Sequence, residues 1–244
     1  MKRVLPILVL ALAGCGHEAA TAPKPVRAVQ TLVTPMPTQP ATTAADPRVA
    51  AGLQLLQKGL AVPMVEYSHT LHYVKADGTK PWLKSRYRYQ KGSRNHLRLL
   101  SGSDSKVADT QIAWKDGESK AQVHTKFIGF WITTGLEFSD ERMNDPLGNK
   151  FTETTMQHFY ATLTNPGNQW SFVADGVQGG KPMTVLGLVS PGSMKGITRE
   201  VIGLDKATGL PVLRDLYAGT RQALHETADT ARVATFKSSD LDIQ

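Results

Sequence analysis

Residues 82–99 read WLKSRYRYQKGSRNHLRL. Leu83, Tyr87 and Tyr89 alternate with Lys84, Arg86 and Arg88, and Gly92 interrupts the run. Leu97 and Leu99 then alternate with His96 and Arg98. A period of two puts successive side chains on opposite faces of a strand. The stretch therefore predicts two β-strands joined near Gly92, apolar on one face and basic on the other.

The same period extends outward. Val65, Tyr67, Leu71 and Tyr73 alternate before an Asp77-Gly78 turn; Ile112 and Trp114 lead into Asp116-Gly117, a strong hairpin signal, and Ala121, Val123 and Thr125 form the return strand. From Phe127 to Phe138 the chain is apolar on both parities, which fits a strand buried on both faces or one lying against something apolar. Further strands are expected at 170–174, 183–189, 197–204, 211–217, 223–226 and 231–236, with turns at Asp175-Gly176, Gly179-Gly180, 207–209 and Gly219.

Two helical patches interrupt this pattern. Asp46 as N-cap, Pro47 at the first helical position and a Val49, Leu53, Leu56, Leu60 stripe predict a helix that stops near Gly59. A second helix is expected over 151–163, capped by Thr152 and ended by Asn165-Pro166-Gly167. About ten strands with so few helices point to an antiparallel barrel or curved sheet, not a βαβ protein.

The chain has 244 residues, 28 Lys+Arg against 21 Asp+Glu, a formal charge of +7 and one cysteine. A single cysteine excludes an internal disulfide framework and a cysteine-built zinc or iron–sulfur site. The chain opens MKRVLPILVLALAGC, a charged start followed by an apolar run too short to span a bilayer stably. Its end, Leu12-Ala13-Gly14-Cys15, resembles the bacterial lipobox. That resemblance implies that residues 1–14 are a lipoprotein signal peptide and that Cys15 is acylated; an ordinary leader followed by a free thiol is the alternative. Removing Lys2 and Arg3 with the leader takes the formal charge to +5. Gly16, where an aspartate would favour inner-membrane retention, favours an outer-membrane anchor facing the periplasm, or the cell membrane in a host without an outer one. Residues 15–45 are rich in Ala, Thr and Pro and read as a tether. The folded domain is expected over 46–240.

Motifs for catalysis are absent. There is no G-x-S-x-G, H-E-x-x-H or Gly-rich phosphate loop, and Ser190 and Ser193 lack a Ser-x-x-Lys partner, so neither an enzyme, a metal site nor a cofactor is expected. His69 and His72 form an H-x-x-H, but on a strand this odd separation puts them on opposite faces. Asp140, Glu141 and Asp145 lack EF-hand spacing and read as a solvated loop. Lys84, Arg86, Arg88, Arg94 and Arg98 form a basic ladder. It is either a solvated outer face balanced by acids from neighbouring strands or an anion-facing patch for lipid headgroups or another envelope polyanion. Nucleic acid is not an expected partner of an exported lipoprotein.

In order of elements the chain resembles the LolA/LolB-like superfamily of envelope lipoprotein and lipid carriers. The resemblance rests on the Asp46–Leu60 helix, the Tyr67–Val74 strand, the Tyr87-Arg88-Tyr89 and His96-Leu97-Arg98 pair, the Ile112–Gly117 hairpin and the Asp205-to-Pro211 turn. It implies a mainly β fold with a few helices: an open, curved antiparallel sheet (half-barrel) of about eleven strands, covered by helices on its concave apolar face. By the same analogy, the protein is a membrane-anchored, non-enzymatic envelope lipoprotein that binds an acyl chain, lipid or lipidated client protein. Leu53, Leu56 and Leu60 would line or plug the cavity; Tyr67, Leu71, Leu83, Tyr87, Leu97, Trp114, Phe130, Trp131 and Ile132 would form its walls. The alternative is an interaction or sensor lipoprotein that engages an anionic envelope polymer through the basic ladder.

Overall fold

A computed structural model describes residues 46–190 and 194–243, apart from the side chain of Phe127. The leader, Cys15 and the tether lie outside the described residues. Helix α1 (Pro47–Leu60) begins where Asp46 accepts a hydrogen bond from the Arg48 backbone N–H at 2.9 Å. Eleven strands follow: β1 (Met64–Tyr73), β2 (Trp82–Gln90), β3 (Arg94–Gly102), β4 (Gln111–Lys115), β5 (Lys120–Phe127), β6 (Phe130–Glu137), β7 (Gln169–Gln178), β8 (Lys181–Val189), β9 (Arg199–Asp205), β10 (Pro211–Ala218) and β11 (Arg221–Val233). Between β6 and β7 lie α2 (Phe151–Thr154) and α3 (Met156–Leu163).

All strands join one antiparallel sheet in the order β6-β5-β4-β3-β2-β1-β11-β10-β9-β8-β7. β6 and β7 stand at opposite ends and do not pair, so the sheet is an open half-barrel. Tyr67 pairs with Tyr87 and Tyr87 with Leu97, while Glu66 pairs with Arg88 and Arg88 with His96. The parity read from residues 82–99 is thus the one the sheet adopts: tyrosines and leucines inward, cations outward.

The concave face holds most of the core. α1 buries Val49, Gly52, Leu56 and Gly59 against the β7–β9 end. Further along the sheet, Trp114 packs edge-on against Tyr87 and Phe151, and Tyr89 against Tyr160 of α3. A smaller cluster of Tyr73, Met194, Leu216 and Leu224 closes one end of the half-barrel.

Several expectations are corrected. β7 runs through Asp175-Gly176, which pair with Thr184 and Met183 of β8 while the exposed Asp175 carboxylate accepts from the Thr184 hydroxyl at 3.0 Å; the turn falls at Gly179-Gly180. The two strands expected over 223–236 are one, β11, which carries a bulge: Ser68 faces Thr230 but His69 faces Ala228. The extra residue, Asp229, flips the alternation, and in sequence that imitates a turn. The helix over 151–163 is two helices broken at Thr155, whose extended backbone and side-chain cap on the His158 N–H make it, not Thr152, the capping residue of α3. Gly59 does not stop α1. A Cβ there would collide with the Gly209 carbonyl, so this glycine serves close helix–loop approach. Finally, the segment beginning at Phe127 is not buried on both faces: Leu136 is the buried residue of β6.

Candidate ligand cavity on the concave face

A cavity of about 80 Å³ lies between the sheet and the α2–α3 cover. Tyr67, Leu71, Tyr73 and Tyr87 form its floor from β1 and β2, and Leu224 and Ala228 continue it on β11. Met156 and Phe159 of α3 form its roof, and Met194 its end. Burial pushes the Tyr67, Tyr73 and Tyr87 hydroxyls well above the usual phenol range, so each stays a protonated donor. Tyr87 donates to the Asn95 side-chain carbonyl at 3.1 Å.

One row of the concave face is charged. His69 Nδ1 lies 2.5 Å from Glu226 Oε1, and Arg214 binds Glu200 at 3.1 Å while stacking 4.3 Å over the Phe159 ring. These four residues come from β1, β11, β10 and β9. Burial works against ionisation of Glu226. The hydrogen bond and charge of His69, then the charge of Arg214, outweigh it and hold the carboxyl below its ordinary range. At the cavity rim, burial raises Asp145 against the hydrogen bonds from Asn149 and Leu147. Among the described residues, His69 Nε2 has no partner in hydrogen-bonding geometry, and the Tyr67 and Tyr160 hydroxyls have none but each other. The cavity is thus apolar with a few convergent polar groups, a composition suited to a ligand with one polar end.

The expected site residues divide three ways. Tyr67, Leu71 and Tyr87 line the cavity. Leu56 and Trp114 are buried in the main core, with Leu53, Leu60 and Leu97 packed against it; Leu83 packs on the smaller cluster. The cavity's helical roof is therefore α2–α3 and not α1, whose leucines are used to fix α1 to the β7–β9 end. Phe130, Trp131 and Ile132 are 75%, 48% and 39% exposed and form no part of the cavity. Their apolar character pointed to a wall, but β6 is an edge strand exposed at every residue except Leu136.

Sequence reasoning missed His69, Glu226, Arg214 and Glu200 as a group. They are scattered over the chain, and only the β1–β11–β10–β9 adjacency brings them together. His69 and His72 do face opposite ways: His72 lies outside, 6.5 Å from the His225 ring.

On the convex face the basic ladder is paired. Glu66, 7% exposed, takes Arg88 at 2.8 Å and Arg232 at 3.0 Å. Lys84 meets Asp229 at 2.9 Å, Arg98 meets Asp109 at 2.7 Å and Arg94 meets Asp242 at 2.6 Å. The C-terminal 3₁₀ turn (Ser238–Leu241) lies over Arg88, whose guanidinium donates to the Asp240 carbonyl at 2.9 Å. Arg86 is exposed and has no carboxylate at ion-pairing distance among the described residues.

No protein-family model matches the chain, and no curated protein does. Solved structures are similar in fold. MucB is 15% identical with a TM-score of 0.49, over 82% of this chain and 64% of MucB, so the chain spans less than two thirds of that protein. LprF from Mycobacterium bovis is 12% identical with a TM-score of 0.44, over 77% of this chain and 95% of LprF. A LolA superfamily protein from Nitrosomonas europaea is 6% identical with a TM-score of 0.36, over 79% of this chain and 97% of that one. The fold itself is a helix, an open sheet of eleven antiparallel strands and short helices laid on its concave face.

Proposed function

We propose that this protein is a membrane-anchored, non-enzymatic envelope lipoprotein that binds a hydrophobic ligand beneath α2–α3: an acyl chain, a lipid or a lipidated client. Acylation of Cys15 would hold it at the outer membrane, facing the periplasm. The observation that carries the reading is the cavity itself, floored by tyrosine and leucine and roofed by methionine and phenylalanine.

At about 80 Å³ the cavity is smaller than the roughly 300–1,000 Å³ that small-molecule sites occupy. Binding therefore requires the roof to move. The roof is made of short pieces: α2 has 4 residues and α3 has 8, and Thr155 between them is extended. Helices this short are not stable alone, so the cover is held by its packing, and the reading requires that packing to give way.

The test is to produce the protein without its leader, with Cys15→Ser, and to look for co-purified lipid by mass spectrometry and for uptake of a fluorescent fatty acyl probe. Uptake should be lost in Met156→Lys, which charges the roof. Protein that is consistently lipid-free and takes up no probe would sink the reading.

A further inference from the structure

The hairpin of β5 and β6 continues past the end of β4. β4 pairs with β5 only from Gln111/His124 to Ala113/Gln122, so beyond His124 the two strands pair with each other alone. At the tip, Phe127 pairs with Phe130 across the two-residue turn Ile128-Gly129. Ile128 is 78% exposed, Phe130 75% and Trp131 48%. Trp131 lies flat on His124, with ring centroids 4.9 Å apart and planes 4° apart, and faces Lys126 in the register.

The backbone at the tip adds a second observation. Ile128 has φ 45° and Gly129 φ 85°, a turn with two left-handed residues. Asn-Gly is the economical sequence for such a turn, and a β-branched residue at positive φ is strained by about 1–3 kcal/mol. Ile128 gains no burial within the molecule to offset that strain. A side chain kept at a cost, and pointed at solvent, is explained by contact with something outside the fold.

We propose that this tip inserts into the surface of the lipid bilayer to which the chain is tethered. A convex point carrying an isoleucine and a phenylalanine, with a tryptophan just behind, matches the order of a membrane interface: apolar chains below, an amphipathic ring at headgroup level. Charge agrees. At its base the hairpin pairs Lys120 with Glu137 at 2.9 Å, and next to the tip it carries Lys126 with no acidic residue, which suits an anionic leaflet. Reach agrees too: about 30 residues between Cys15 and the first helix extend up to roughly 100 Å, against roughly 50 Å across eleven strands. Three side chains give only weak partitioning by themselves; the tether supplies the effective concentration that makes the contact persist.

The proposal rests on the anchoring part of the function above, and the experiment separates the two. The full-length acylated protein is reconstituted into phosphatidylethanolamine–phosphatidylglycerol vesicles containing nitroxide-labelled phosphatidylcholine, and tryptophan quenching is measured. The intact mass of the vesicle-bound protein reports acylation of Cys15 independently. Because Trp82 is 38% exposed, the measurement is made in a Trp82→Phe background; quenching is expected to come from Trp131 and to disappear in Trp131→Phe, while buried Trp114 and Trp170 stay unquenched. The paired change Ile128→Asn and Phe130→Ser keeps a favourable turn and should lower the ratio of inserted to free tip about tenfold. Equal quenching in the parent and Trp131→Phe would overturn the proposal. So would Trp131 shielding that depends on protein concentration at constant lipid, which would mark a contact between two copies. A chain that carries no acyl group would remove the anchoring and the proposal with it, whereas acylated protein with an unquenched Trp131 would remove the proposal alone.

Discussion

The two edges of the sheet are treated in opposite ways. At the β7 end, a bulge between Phe172 and Ala174 breaks the edge, and α1 lies across β7, β8 and β9 with Arg48 stacked 4.4 Å over Phe172. At the β6 end, pairing runs without a register shift from Lys120/Glu137 to Phe127/Phe130, and every residue of β6 but Leu136 is exposed. Folded proteins normally blunt a sheet edge by bulging, covering or charging it. One edge here follows that rule and the other does not. The difference separates residues that serve stability from residues free to serve something else.

The largest effect is expected where the covered end is tightest. Gly59 of α1 and Gly209 of the β9–β10 turn approach so closely that a Cβ on either would strike the other's helix or turn backbone. Gly59→Val should cost roughly 4 kcal/mol or more, because backbone on both sides has no room to yield. Thermal melting should show the loss, and limited proteolysis should cut α1 first. Protein that melts like the parent would mean that α1 does not hold this edge.

Next comes the middle of the sheet. Glu200 is 1% exposed and depends on Arg214. Arg214→Met should cost about 3–5 kcal/mol, since it leaves a buried carboxylate unpaired. For a domain of this size that is a fall in Tm of roughly 6–20 °C. Adding Glu200→Leu should restore most of it, and a double-mutant cycle measures the coupling. Failure of the second change to rescue would show that the loss comes from the other contacts of Arg214, such as its stacking on Phe159, and not from an unpaired Glu200.

These two regions were legible in sequence to different degrees. The tyrosine–arginine alternation at 83–89 gave strand, face and pairing partner together, because each of those depends only on a period of two. The covered end was partly legible: Val49, Leu53, Leu56 and Leu60 marked the helix, but nothing local says that Gly59 meets Gly209, 150 residues later. The charged row was hidden for the same reason, its members being joined by strand order and not by spacing. Phe130, Trp131 and Ile132 misled most. Hydrophobicity shows that a strand avoids water, and does not show whether its shelter is the protein's own core.

A smaller effect should appear with pH. His96 is 6% exposed on β3; burial lowers its affinity for a proton, its hydrogen bond to Gln111 at 3.1 Å opposes that, and Arg88 and Arg98 add to the lowering while Asp242 opposes it. An unfolded chain binds a proton there near pH 6.5 that the folded one refuses, so stability falls as pH drops below about 6.5. His158 acts in the same direction, again mainly through burial. His225 acts in the opposite one: its hydrogen bond to Asp215 at 2.6 Å raises it, so it adds stability below 6.5 that is lost as pH rises through its higher folded value. Urea titrations at pH 7 and pH 5.5 should show a shallower pH dependence for His96→Gln and a steeper one for His225→Asn. Identical slopes would remove both assignments.

The smallest effect belongs to the bare end and has the reverse sign. Ile128→Asn places at φ 45° a residue that tolerates the left-handed region, and it removes a side chain that the fold barely touches. The variant should therefore be equal to the parent or more stable by up to about 1 kcal/mol, read as a higher midpoint in urea with an unchanged slope. Phe130→Ser should stay within about 0.5 kcal/mol of the parent, as surface substitutions do. Destabilisation by either change would mean that the tip packs on the molecule after all, and the contrast between the edges would close. A stabilised Ile128→Asn protein that also leaves the membrane surface would instead show that the strain in this turn is retained for contact, at a position where stability alone would have selected asparagine.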